Sequence, residues 1–412
     1  MKIGFYIHHT TIKAGGIFTY SSGILKLLLN SDKIEKICLI YSSEIKSEIS
    51  ALLQNPKIEI LEIDRRKLGI KIPLMLSYFL YDSYLIIKNY YPNSKRIDFL
   101  RGLSFRINPY RSRINKKDIS LLHVPLQYSP VYSLNIPIVI TMHDLQEFHF
   151  PEFFSSQERL HRAINNKKAL EECSHIIVSF EHIKKDILKF FGIEEYKISI
   201  CPPPFAENWF TQNEFSDFDD IKNKYSLHDE FILYPAASWQ HKNHLNLIRA
   251  IHLLRLKGLK VNLICTGNKT EYFDRVLKSK INELNLSNAI RFLGIIPEKD
   301  LISLYKMTKL VVIPTLYESG SGPLYEAMRY EVPVICSNVT SLPETMHDNE
   351  FIFDPQKPEQ IAEIIGKGLR DEKFRKKNLN NSKTRCTEFK GKNFSDNFIL
   401  AYKRTLKNKH GL

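Results

Sequence analysis

The sequence predicts an α/β protein made of two successive doubly wound parallel-sheet domains. Three observations carry this. Short runs rich in Ile, Val and Phe alternate with longer mixed stretches, which is the rhythm of βαβ units. The apolar runs are nearly continuous, as expected of strands covered on both faces. The rhythm also stops once, at Cys201-Pro202-Pro203-Pro204-Phe205, and then restarts. Three prolines neither continue a helix nor join a central strand.

In the first half the predicted strands are Lys2–His8, Lys36–Tyr41, Ile58–Ile63, Ser120–Val124, Ile136–Met142, His175–Phe180 and Lys197–Cys201. Helical stretches such as Phe18–Asn30, Gln157–Glu172 and Glu181–Phe191 separate them. The proline run and the polar sequence up to Glu230 read as an interdomain linker. After it come strands Phe231–Ala236, Lys260–Thr266, Ile290–Gly294, Leu310–Pro314, Pro333–Ser337 and Glu350–Phe353. The helices between them are His244–Lys257, Glu271–Leu284, Glu298–Lys306, Pro323–Tyr330 and Pro358–Leu369. The tail from Asp371 to Asn408 reads as helical, with a break near Gly391 to Ser395. The domains are therefore 1–205 and 206–391. Two such domains in series bind ligands between them, at the carboxyl ends of their strands, so functional residues are expected just after strands.

Composition narrows the class. The chain has 412 residues, 43% of them hydrophobic and 25% charged, which excludes a disordered chain. With 16 glycines and no heptad run it is neither collagen-like nor a coiled coil. Lys and Arg total 59 against 45 Asp and Glu, a net charge of +14. That excess calls for an anionic partner: a nucleotide, a nucleic acid or a membrane surface. The six cysteines are scattered, without C-x-x-C, and read as reduced residues of a cytosolic protein. The N-terminus reads as a first strand and not as a signal peptide. The apolar stretch Leu68–Tyr91 is interrupted by Lys71, Asp82 and Lys88, which argues for an amphipathic surface helix over a membrane-crossing one.

Five motifs sit where chemistry is expected. Glu318-Ser319-Gly320-Ser321-Gly322-Pro323-Leu324-Tyr325-Glu326 follows the strand Leu310–Pro314 and opens a helix. Gly320 and Gly322 allow close backbone approach, and a helix N-terminus favours an anion. On a continuous helix Glu318 and Glu326 would stand roughly 12 Å apart. That exceeds the about 5–9.5 Å of glycosidase carboxylate pairs, which disfavours a hydrolase. Carboxylates accepting from sugar and ribose hydroxyls fit better. Lys242, in Trp239-Gln240-His241-Lys242-Asn243-His244, is placed to neutralise a diphosphate. His241 and His244 have metal-like spacing but no companion carboxylate. Gly15-Gly16 follows the first strand, and lacks the rest of a dinucleotide fingerprint. His143-Asp144 ends the strand Ile136–Met142, with Asp144 either orienting the imidazole or capping the next segment. Finally, nine Lys and Arg lie between Lys88 and Lys117 against Asp98 and Asp118, interleaved with aromatics. This suits anionic lipid better than nucleic acid, because no nucleic-acid module is present. Cys265–Thr270 lacks the spacing of a P-loop.

Taken together these residues resemble the retaining glycosyltransferases of family four. The signature is Glu318 and Glu326 in a Glu-x7-Glu pattern, supported by Gly15-Gly16, His143-Asp144, Val178-Ser179-Phe180-Glu181 and Arg291-Phe292-Leu293-Gly294. The resemblance implies the GT-B fold, two facing Rossmann-like domains with an interdomain cleft. It implies an acceptor-binding first domain and a nucleotide-sugar-binding second one, with a last helix, about 392–412, crossing back to the first. Glu318, Lys242 and His143 become the catalytic set. Gly15, Gly16, Lys242, Gly294, Gly320, Gly322, Leu324 and Glu326 become donor contacts, with Gly294 near the nucleobase and Glu326 at the ribose. No metal and no cofactor are implied beyond the donor, with GDP-mannose favoured. Two departures, the absence of Arg from Pro235–Trp239 and the shifted Gly320/Gly322 turn, resemble O-antigen mannosyltransferases. The expected partners are a lipid-linked or glycan acceptor and an anionic membrane touched by the 88–117 region, and no nucleic acid. The expected location is cytoplasmic, peripheral to the inner face of the membrane. The rival readings are a nucleotide-sugar epimerase of the same fold and a non-catalytic binding protein.

Overall fold

The computed structural model describes residues 1–8, 16–202, 214–227, 229–388 and 393–409. The chain divides into two compact units, Met1–Pro204 with Lys392–Leu412, and Phe205–Gly391.

The first unit is built on seven strands: β1 (Lys2–Tyr6), β2 (Lys36–Tyr41), β3 (Ile58–Glu62), β4 (Leu122–Val124), β5 (Ile138–Met142), β6 (His175–Val178) and β7 (Ile198–Ile200). Their order is β3-β2-β1-β4-β5-β6-β7 and every pairing is parallel. Strands β5 and β6 are buried along their whole length, which is why they read as unbroken apolar runs. The order reverses between β1 and β4, so their carboxyl ends diverge and open a crevice.

The second unit holds β8 (Ile232–Pro235), β9 (Leu263–Thr266), β10 (Ile290–Phe292), β11 (Leu310–Ile313), β12 (Val334–Ser337) and β13 (Ile352–Phe353). They run β10-β9-β8-β11-β12-β13, again all parallel, with the reversal between β8 and β11. Each observed strand falls inside its predicted run, shortened at one or both ends where it differs.

One connection differs from expectation, and the tail breaks where a break is expected. Residues 203–213 of the proline-led linker lie outside the described residues, but the polar stretch beyond them is not all linker. Asp217 caps a helix over Phe218–Tyr225, and Ile221 reaches the second unit's core. Ser216, Lys224 and Tyr225 all donate to the buried Asp300 carboxylate, at 2.6–2.7 Å. With a single buried position, that helix has no periodicity to betray it. The helical tail splits into Glu372–Glu388 and Asn393–Lys409. Asn378, on the first piece, mimics a strand for β12: it accepts from Val334 N and donates to Val334 O. The second piece belongs to the first unit, where Phe398 and Tyr402 are fully buried. The Tyr402 hydroxyl bonds His123 Nδ1 at 2.8 Å, and Asp396 pairs with Lys33 at 2.6 Å.

Candidate active site

In the second unit, the turn after β8 and the turn after β11 lie side by side at the switch point. Lys242 ends a short 3-10 turn, Gln240–Lys242. Its carbonyl accepts from the buried Tyr234 hydroxyl on β8 at 2.9 Å. The next residue, Asn243, adopts φ +59°, a conformation that asparagine tolerates better than most residues. Its amide donates to Pro314 O and Pro355 O, both at 2.8 Å. Thr315 Oγ1 and Leu316 N close the other side by donating to His241 O. The Lys242 backbone is thus tied to the end of β11. Its ammonium meets Glu318 Oε2 at 2.7 Å. Side-chain accessibility at this pair is 20% for Lys242 and 11% for Glu318, so the two charges are largely withdrawn from water.

Glu318 is held as firmly. Its N–H donates to Thr340 Oγ1 at 2.9 Å and its carbonyl accepts from Ser341 Oγ at 2.9 Å. Thr340 holds φ +50°, rare for a β-branched side chain and a sign of local strain beside the site. The glycine-bearing turn then leads into the helix Gly322–Arg329, with Pro323 in its first turn. Ser321 is the N-cap. It is only 2% exposed, and its hydroxyl has no hydrogen-bond partner among the described residues. The first N–H groups of a helix have no partner within it, so this buried hydroxyl stands in a polar setting that favours an anion. Leu324 is fully buried, a core residue beneath this turn. Glu326 lies on the core side of the helix, where the buried Tyr305 hydroxyl donates to Oε2. Burial, with a smaller push from Glu298, raises its carboxyl to about 7 against the Tyr305 hydrogen bond.

Gly294 has φ +78° and its carbonyl accepts from Gly267 N at 2.8 Å. Gly267, φ +103°, touches the β8 turn so closely that a Cβ there would lie 2.7 Å from Ala237 N. In the stretch where the resemblance calls for an Arg, Ser238 makes a clamp instead. Its N–H donates to Asn268 O, and its Oγ accepts from Thr270 N at 2.8 Å. His244 is a core residue, its ring packed against Tyr234 and Phe292, so it does not form a metal pair with His241. Among the described residues no group of three or more His, Cys, Asp or Glu could hold a metal ion.

In the first unit, His143 follows β5. Its Nε2 donates to Pro125 O at 3.0 Å, and its ring meets Tyr20 edge-on at 4.8 Å. Burial lowers its pKa, so the imidazole is neutral. Asp144 does not hydrogen-bond to it: the Arg162 guanidinium donates to Asp144 Oδ1. Gly16 begins the helix Gly16–Leu29 with open space around it, and Gly15 lies outside the described residues.

Two family models match in succession, Glycosyltransferase Family 4 over residues 77–207 and Glycosyl transferases group 1 over residues 216–385. The chain is a GT-B glycosyltransferase. It is 27% identical over 267 residues to the O-antigen chain mannosyltransferase B of Escherichia coli, covering 64% of this chain and 70% of that one. It is 29% identical over 259 residues to the serotype-specific mannosyltransferase WbdA of E. coli, covering 60% of this chain and 32% of WbdA. The glycosyltransferase thus spans about a third of the WbdA length. Among solved structures, a glycosyltransferase from Rickettsia africae ESF-5 superposes with TM-score 0.65 at 16% identity, over 99% of both chains.

The first unit of the glycosyltransferase also carries the basic tract and the apolar helix before it. The basic tract folds into helices Asp98–Ile107 and Pro109–Ile114, and several of its cations are engaged. Lys88 pairs with Asp98, Arg101 with Glu172 and Lys117 with Glu59. Lys95, Arg96, Arg106 and Lys116 remain exposed. The preceding helix, Leu68–Tyr90, has 23 residues and by length and composition is apolar enough to cross a membrane, despite Lys71, Asp82 and Lys88. One stripe, Ile70, Leu74, Ser77, Tyr81 and Leu85, is buried against the unit. The opposite stripe, with Leu68, Ile72, Met75, Phe79, Ile86 and Tyr90, is exposed.

Proposed function

We propose that the enzyme transfers a hexose, mannose favoured, from GDP-mannose to a glycan or lipid-linked glycan, with retention and without a metal ion. The observation that carries this is the Lys242–Glu318 pair beside the Ser321-capped helix start. Before a donor arrives, each charge offsets the other's cost of leaving water. A diphosphate would take Lys242, Ser321 Oγ and the helix N–H groups as donors. Glu318, relieved of its cation, would accept from the sugar hydroxyls. Glu326 would accept from the ribose, and His143 would line the acceptor side.

In the reaction the bond from sugar C1 to the diphosphate oxygen breaks, and its electron pair leaves with the nucleoside diphosphate. The acceptor oxygen bonds C1 from the same face, and its proton passes to a diphosphate oxygen. Lys242 and the helix start stabilise the growing negative charge, which is transition-state electrostatics. A screen of GDP- and UDP-sugars by thermal shift, followed by anomeric analysis of the product, tests the reading. Stabilisation by GDP-mannose and an α-linked product support it. Stabilisation by UDP-sugars alone, or a β-linked product, contradicts it.

For the acceptor's setting, we infer that the exposed stripe of Leu68–Tyr90 lies on an anionic bilayer. The helix is about 35 Å long at 1.5 Å per residue. Exposed cations stand at both ends, Lys67 and Lys71 at the start and Lys95 and Arg96 beyond the finish. That pattern suits a helix lying in the interface plane. A second copy is disfavoured, because either alignment of two such helices brings cations against cations.

A further inference from the structure

The first unit contains a cavity of about 220 Å³ to which the proposed transfer assigns no occupant. It sits at the carboxyl edge of the sheet, reached by Tyr6 at the end of β1, Arg65 beyond β3 and Leu126 beyond β4. Its inner wall is the helix Ser156–Glu172, whose His161, Asn165 and Lys168 share one face. Lys168 is the unusual group. It is only 6% exposed, yet it has no ion-pair or hydrogen-bond partner among the described residues. Three aromatic faces surround its ammonium instead, with ring centroids 4.3 Å (Tyr81), 5.0 Å (Tyr78) and 5.7 Å (Tyr132) away.

A buried ammonium ordinarily has a carboxylate against it, because ring faces alone offset little of the lost hydration. The two nearby acids do not fill that role. Glu172 is occupied, accepting from Arg101 at 2.6 and 2.8 Å and from the Tyr81 hydroxyl at 2.5 Å. Asp82 lines the cavity but acts on Lys168 only at longer range, and burial raises its own carboxyl pKa. Among the described residues, Lys168 therefore has no carboxylate in contact, and Arg65 brings a second cation to the same wall. Burial pulls Lys168 down to about 8, as fits an ammonium short of a counter-charge.

We propose that this cavity binds an anionic group, a carboxylate or a phosphate, with Lys168 as its buried counter-charge and the hydroxyls of Tyr78 and Tyr128, which line it, as donors. That the group is carried by the acceptor sugar rests on the glycosyltransferase reading; that the cavity takes an anion does not.

The test uses the full chain without donor, titrated at constant ionic strength with sodium glucuronate, sodium phosphate and methyl α-glucoside by calorimetry. Saturable binding of at least one anion, about tenfold tighter than the neutral glucoside, supports the proposal, and the anion that binds names the source. Lys168→Met should weaken that anion about tenfold or more, while Lys168→Arg stays within about threefold. Melting temperature and GDP binding should stay unchanged in both. If the Met variant melts early, Arg65→Gln takes its place, with the same anion weakened and the glucoside unaffected. Equal binding of glucoside and anion, no saturable anion binding, or a folded Lys168→Met that binds as wild type each overturn it. Loss of GDP binding in the wild type would instead count against the donor-site reading alone.

Discussion

The two units share one strand order but treat charge at the sheet's carboxyl edge in opposite ways. In the second unit the charged groups answer one another: Lys242 faces Glu318, Tyr305 donates to Glu326, and Asn243, Ser238, Thr340 and Ser341 fix the intervening backbone. In the first unit Lys168 is enclosed without a carboxylate, and the helix Leu68–Tyr90 shows an apolar stripe to solvent. A site whose charges are mutually satisfied is preorganised, and its parts are lost through activity or stability. A surface with unanswered groups is completed by something that binds, and its parts are lost through affinity.

The largest expected effect lies in the second unit. Lys242→Ala should lower turnover by about 10²–10³-fold, the usual consequence of removing one preorganised donor from developing charge. A steady-state transfer assay reads it, and near-full turnover would place the diphosphate elsewhere. Next comes Asn243→Ala, which removes two hydrogen bonds to buried carbonyls and puts alanine at φ +59°. Urea unfolding should show a loss of about 2–4 kcal/mol. A loss below half that would mean the turn is held by its neighbours alone.

Glu326 sharpens the contrast through pH. Its folded value of about 7 lies above the reference of 4.5, so between these the unfolded chain ionises while the folded one stays neutral. Stability from this group is therefore full below about pH 4.5, falls as pH rises towards 7 and levels beyond. The loss is at most about 3 kcal/mol. Glu326→Gln should remove that slope, so its stability relative to wild type rises from pH 5 to pH 8. Parallel curves for the two proteins would contradict the assignment. The smallest effect belongs to the first unit's stripe. Phe79→Glu, at a site 66% exposed, should leave the melting temperature unchanged and weaken partition onto phosphatidylglycerol vesicles about tenfold. Unaltered partition would remove the stripe from the proposed docking surface.

Legibility in the sequence divides along the same line. The strands were readable because they are buried on both faces, which leaves a local apolar run in the chain. Lys242 and Glu318 drew notice because each lies in a short turn after a strand at the switch point, where the structure pairs them, whereas Gly294 came only with the family resemblance. Thr340 and Asn243 were not, since what marks them is partners dozens of residues away and a positive φ, and Ser321 was not, since its burial shows only in the fold. Ser321 did leave one signal, a hydroxyl residue immediately before the helix start. Lys168 was invisible for a different reason: in sequence it is one more cation on a charged helix, and only packing against Tyr78, Tyr81 and Tyr132 makes it unusual. In the basic tract the sequence shows the charges but not their partners: Asp98, Glu172 and Glu59 match three of them, and Lys95, Arg96, Arg106 and Lys116 stay exposed.

On the proposed function, the turn after β8 and the turn after β11 together hold a nucleoside diphosphate. Calorimetric titration of GDP into the wild type and Lys242→Ala tests it most directly. Saturable binding to the wild type is expected, with a loss of about tenfold or more in the variant and the fold intact. Equal affinity in the two proteins would contradict it.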